Sequence, residues 1–402
     1  MYFDPIFKDW LEVDFPISYI YDFSNYGFLT GLLYIFIKFS KTVKENKFAL
    51  YSILMLSPFF FHGLTTSLSL FPDQIKYLGA ARDFRESVFD LNKTFHTFSI
   101  YGIGRLKITL PAYFYNLFPT TNFETYRSIG FINRFLYILM IILLTQKKNI
   151  SLSVKLFLIL SPSLTLYSSI SLRETLILLL IVFLFYNLLK KNYLSIIISL
   201  VLLFFIKVQN LIIVIMPLFL YWIYERKLNY IATTIIILST CLSIFFIFED
   251  AIFDLINKIS RGFFSEQNGS YRGIFIMELF DNYNLDNFMN KIFSGMFDII
   301  ISPLPNINSV SIAVILFENL FIYLLIFLNL FFRFSKKNKL EKKIAIYWLI
   351  TLIFSLAYYS IISFNDGTVH RYKIIILSFV LIGFNIHVAN KKHLIKSSSA
   401  NY

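Results

Sequence analysis

Apolar residues in this chain fall in long, nearly unbroken runs rather than in the alternating or every-third-or-fourth patterns of a strand or a surface helix. The runs are mostly about 18–24 residues long, enough to cross a hydrocarbon core of about 30 Å at 1.5 Å per helical residue. Backbone amides in lipid find no water, so each run is predicted to be a helix that satisfies its own hydrogen bonds. About eleven spans are predicted, near residues 17–37, 48–70, 128–146, 150–168, 172–189, 193–206, 210–224, 229–248, 309–332, 344–363 and 373–389.

The short polar connections are basic: Lys38 to Lys47, Lys147-Lys148, Lys190-Lys191, Arg226-Lys227, Arg333 to Lys343, and a tail with Lys391, Lys392 and Lys396. Placing all of them in the cytoplasm lets the spans alternate without contradiction, with the N-terminus outside and the C-terminus inside. Counting Lys155, these segments hold 20 Lys and Arg against three acids, Glu45, Glu225 and Glu341, whereas the rest of the chain holds 17 against 21. Short basic loops mark the cytoplasmic face. The net charge of +13 is therefore a topology signal and implies no nucleic-acid partner. At 57% hydrophobic and 15% charged, the composition cannot surround a water-soluble core. The expected fold is all-α: a polytopic transmembrane helical bundle forming one membrane domain over residues 1–402.

Two long outer loops are expected, near 71–127 and 249–308. The first contains Tyr101 to Phe118, whose aromatic and basic mixture suits a helix in the membrane interface. The second contains Arg261 to Gly273, then an apolar stretch ending Ser302-Pro-Leu-Pro305, which suits a re-entrant or short interfacial helix. Asp4, Asp9, Glu12 and Asp14 precede the first run, so no basic leader or processing is expected. The single cysteine, Cys241, excludes an intrachain disulfide.

Candidate chemistry lies at the outer ends of spans. Asp73 follows the second span in Pro72-Asp-Gln-Ile-Lys-Tyr77, and Arg173 and Glu174 occupy the turn Ser168 to Glu174. Lys207, Gln209 and Asn210 interrupt the apolar run from 193 to 224, and Asn365 to Lys373 forms the last outer loop. Each has a plain explanation. Ser171-Leu-Arg-Glu174 fits a capping box, Asp73 and Asp366 suit helix caps, Lys207 can snorkel, and His370-Arg371 and Asn133-Arg134 suit interfacial anchoring. Together they combine acids with Arg and Lys at one membrane depth, which independent anchors do not require.

Arg and Lys at a lipid surface suit a phosphate or diphosphate, and a nearby carboxylate suits activation of a sugar hydroxyl. Those parts describe glycosyl transfer from a polyprenyl-linked donor, in which cations stabilise the departing phosphate. Five scattered histidines, His62, His96, His370, His387 and His393, give no metal motif, and no G-x-S-x-G elbow is present.

At Pro72 to Tyr77, Ser168 to Glu174 and Asp366 to Tyr372 the chain resembles Wzy-type repeat-unit polymerases of O-antigen and capsule, including EpsG-like relatives. It is also similar to the wider GT-C polyprenyl-phosphate-sugar glycosyltransferases. The polymerase resemblance implies joining of undecaprenyl-diphosphate-linked glycans at the outer face of a bacterial inner membrane, without metal or other cofactor. It implies Asp73 as base, Glu174 and His370 as further catalytic candidates, and Lys76, Tyr77, Arg82, Arg173, Lys207, Arg261, Arg272 and Arg371 as substrate or diphosphate contacts. Implied partners are the lipid-linked glycans, membrane lipid, and a flippase and chain-length regulator of the same assembly route. The pattern departs from the family at Arg261, where the R-x10-G spacing meets Arg272 and Gly273 falls one residue late. A single-sugar GT-C transferase is the second expectation. A lipid-linked oligosaccharide flippase ranks lower because no internal repeat and no mid-bilayer pathway of charges is evident. A purely structural membrane protein would not need Arg173, Lys207 and Arg371 at those positions.

Overall fold

The computed structural model describes residues 15–40, 47–60, 73–85, 90–101, 106–118, 123, 125, 127–145, 150–225, 239, 254, 285–301, 310–334, 339–362 and 366–399. Every element among them is helical. In chain order these are α1 (Phe15–Ser40), α2 (Phe48–Leu54), α3 (Ser57–Phe60), α4 (Asp73–Arg85), α5 (Leu91–Tyr101), α6 (Leu106–Asn116), α7 (Ser128–Thr145), α8 (Leu152–Leu160), α9 (Pro162–Ser169), α10 (Glu174–Leu189), α11 (Tyr193–Glu225), α12 (Leu285–Ile301), α13 (Val310–Phe334), α14 (Lys339–Ile362) and α15 (Asp366–Ser399). Two compact units result: Met1–Leu211 with Asn385–Tyr402, and Ile212–Phe384.

In the first unit α7 is the hub. It packs against α1, α3, α8, α9 and α10, and almost all of its length is buried. Gly130 permits the α9 contact, because a side chain there would overlap the Ser169 carbonyl. Asn133 and Arg134, expected at the interface, are instead fully inside, at 0% and 1% exposure. Proline explains why Arg134 is needed. A proline inside a helix has no N–H for the carbonyl four residues earlier, and an orphaned buried carbonyl must find another donor.

Pro58 orphans Leu54, whose carbonyl accepts from Arg134 Nε at 2.8 Å. Pro162 orphans Leu158, whose carbonyl accepts from the Tyr137 hydroxyl at 2.7 Å. Arg134 and Tyr137 lie one turn apart on α7, so a single face of the hub serves both breaks. At the second break, Ser161 ends α8 and caps α9 by accepting from Leu164 N at 3.1 Å, and the two helices bend by 49°. The expected span 150–168 is this bent pair.

In the second unit α14 packs against α12 and α13. Gly295 of α12 lies against Ser360 of α14, and Gly383 of α15 lies against the Trp348 indole, both too close for a side chain. The Tyr347 hydroxyl donates to the Pro217 carbonyl at 2.7 Å, tying α14 to the end of α11. Glu318 and Asn319 are buried in α13, an acid and an amide inside an expected span.

Among the described residues, four helices are long and apolar enough to cross a membrane: Ser128–Thr145, Tyr193–Leu211, Glu341–Ile361 and Val369–Val388. The bent pair makes five. The spans expected at 193–206 and 210–224 correspond to the two helical stretches of α11, which meet at a kink at Lys207. The span expected at 48–70 is described to Phe60 and is broken between α2 and α3. Most of 229–248, with Cys241, lies outside the described residues.

Candidate functional site

The first unit gathers several of the sequence candidates around the turn between α9 and α10. That turn, residues 170–173, is buried apart from Arg173, so its peptide groups need protein partners. Three other segments provide them. Asn133 of α7 donates to the Ile170 and Leu172 carbonyls at 2.9 and 2.6 Å. Tyr115 of α6 shares its hydroxyl between Asn133 Oδ1 at 2.9 Å and the Leu172 carbonyl at 3.1 Å. Gln74 of α4 accepts from Ser171 N at 3.2 Å.

Burial drives the Tyr115 phenol well above its ordinary pKa. Nearby Tyr77 and Glu174 push the same way, against the Asn133 hydrogen bond and the Arg173 charge. The phenol consequently keeps its proton and acts as a donor. The helix does not start from the expected capping box: α10 begins at Glu174, and its cap residue Arg173 makes no side-chain cap bond.

Glu174 turns instead toward Lys207, with Oε1 and Nζ 4.0 Å apart and both side chains buried. Lys207 sits at the break in α11, where the backbone is extended (φ −165, ψ 90). That departure deprives the Ile206 carbonyl of its helical donor, and Arg173 Nη1 supplies one at 2.9 Å. The same Nη1 donates to the Lys107 carbonyl at 2.8 Å, which Pro111 has orphaned within α6. The Arg173 guanidinium also lies 6.0 Å from the centre of the buried Tyr77 ring. Arg173 thus fastens α6 to the break that carries Lys207.

Asp73 is the first residue of α4, directly before Gln74, so its backbone enters this neighbourhood. Lys76, on the same helix, is exposed. Arg82 is turned elsewhere and donates from Nε to the Phe123 carbonyl at 2.6 Å. His370 and Arg371 belong to the second unit, on the first turns of α15, with His370 buried and Arg371 half-buried. Arg261 and Arg272 lie outside the described residues. No group of three His, Cys, Asp or Glu side chains that could hold a metal ion occurs among the described residues.

Within the quoted stretches Pro72 to Tyr77 and Tyr101 to Phe118, Gln74 and Tyr115 did not stand out as site residues, and Asn133 and Arg134 read as interfacial anchors. For Arg134 the available signal was proline, since Pro58 marks the Leu54 carbonyl as needing a foreign donor; Gln74, Tyr115 and Asn133 serve the 170–172 turn, which no proline marks. A second ionic feature was also missed. Asp22 of α1 pairs with Arg127, both fully buried, and accepts from Thr125 at 2.5 Å. Arg127 further covers the Tyr19 ring at 4.7 Å.

The described residues define an all-helical protein with apolar helices of membrane-spanning length. Comparison with protein-family models, with curated proteins and with solved structures finds no match to this chain.

Proposed function

We propose that this chain is an oligosaccharide repeat-unit polymerase, joining undecaprenyl-diphosphate-linked glycans at the outer face of a bacterial inner membrane. The proposal includes a topology of about eleven spans with the N-terminus outside and the C-terminus inside. The observation that carries it is the convergence of Arg173, Glu174, Lys207 and Tyr77 beside the first turn of α4, which Asp73 opens. Residues from three separate helices, α4, α10 and α11, meet there, and each was expected at one membrane face.

In the reaction proposed, a carboxylate removes the proton of an acceptor sugar hydroxyl. The hydroxyl oxygen bonds to the anomeric carbon of the donor glycan, and the bond from that carbon to the diphosphate oxygen breaks. Lys207 and Arg173 offset the charge that grows on the departing diphosphate. Asp73 is the base in this scheme and Glu174 holds Lys207 in place. His370 and Arg371, on the first turns of α15 in the second unit, are candidates from the resemblance alone.

The test is genetic and chemical. Asp73→Asn, Arg173→Ala and Arg371→Ala are expected to abolish long polymer while the protein stays at normal abundance in the membrane. Normal chain length in all three variants removes the site. A deletion strain that accumulates single complete repeat units supports a polymerase. An incomplete unit instead identifies a GT-C transferase using a polyprenyl-phosphate sugar, which faces the same leaving-group problem.

A further inference from the structure

α12 presents three distinct faces. At 100° per residue, Ile292, Gly295 and Ile299 share one arc, and this arc meets α14. Met289, Phe293, Phe297 and Ile300 share a second arc and are exposed by 37%, 63%, 62% and 38%. Asn290 and Ser294 are exposed on a third arc, with Asp298 and Lys291 partly exposed beside them. A helix in water would not present four large apolar side chains in one stripe. A helix crossing the bilayer would carry Lys291, Ser294 and Asp298 into hydrocarbon.

The depth of the contact with α14 decides between the remaining orientations. Gly295, near the middle of α12, lies against Ser360, in the last turn of the apolar segment Glu341–Ile361. Two spans packed side by side would meet middle to middle, near Thr351. The middle of α12 is at the end of a span instead, which is the level of the membrane interface.

We infer that α12 is an interfacial helix: it docks on α14 through the Gly295 and Ser360 contact, buries its Met289, Phe293, Phe297 and Ile300 stripe among lipid acyl chains, and turns its Asn290 and Ser294 arc to water. The occupant of the apolar stripe is the bilayer itself. The arrangement matches the amphipathic pattern that binds membrane surfaces in plane. It rests on the membrane character of the chain and is independent of the sugar-transfer proposal.

The test uses the full chain with Cys241→Ser, which removes the only native thiol. Single cysteines replace Met289, Phe293, Phe297, Asn290 or Ser294 in turn, all exposed positions where a nitroxide label displaces no packed side chain. The labelled proteins are reconstituted into vesicles of phosphatidylethanolamine and phosphatidylglycerol. Relaxation by oxygen, which partitions into lipid, is compared with relaxation by a water-soluble nickel chelate. At 289, 293 and 297 oxygen is expected to be the stronger relaxer by several fold, and at 290 and 294 the chelate. Chelate dominance at all five positions places α12 in water and overturns the inference. Oxygen dominance at all five makes α12 a membrane-crossing helix and overturns it equally.

Discussion

Neutralising both members of the Glu174 and Lys207 pair separates its structural role from its chemical one. At 4.0 Å and an effective dielectric near 20, two unit charges attract by about 4 kcal/mol. Both side chains are buried, at 4% and 7% exposure, so removing either alone strands the other in a poorly solvating site. Glu174→Gln and Lys207→Met are each expected to cost about 3–5 kcal/mol, whereas the double variant returns to within about 1 kcal/mol of the parent. Arg173 keeps its bonds to the Ile206 and Lys107 carbonyls in all three proteins, so the break in α11 is held throughout. Unfolding by denaturing detergent measures the stabilities, and chain-length analysis of the polysaccharide measures activity. The double variant is expected to be stable and inactive. If the two single costs simply add in the double variant, the charges do not interact. If the double variant makes normal polymer, the pair serves folding alone.

Two further outcomes follow from the proline breaks and the hub. Tyr137→Phe leaves the Leu158 carbonyl unpaired and is expected to cost about 1–2 kcal/mol, while adding Pro162→Ala supplies an N–H to that carbonyl and makes the double variant less damaged than the sum of the singles. Additive losses in the same unfolding assay refute the proline account. Gly130→Val forces a side chain onto the Ser169 carbonyl and is expected to cost at least about 1–3 kcal/mol, with loss of folded protein on heating in mild detergent; an unchanged unfolding midpoint contradicts the close approach of α7 and α9.

By itself the sequence determined that this chain is helical and membrane-embedded in character. Long apolar runs leave helices as the main way to satisfy backbone groups in lipid, and that inference needs no tertiary information. It also marked the polar interruptions Arg173, Glu174 and Lys207, because charge is costly and therefore conspicuous in such runs. Tertiary structure decided what those residues touch. Ser171 and Glu174 had the spacing of a capping box, yet Gln74, Tyr115 and Asn133 claim the turn's peptide groups and Glu174 faces Lys207 from another helix. Asn133 and Arg134 looked like anchors because a hydropathy pattern records polarity along one helix and not which neighbour has an orphaned carbonyl. Local patterning sees the break made by Pro58, Pro111 or Pro162, but the donor that repairs each break lies between 21 and 80 residues from the orphaned carbonyl. Only packing brings it there.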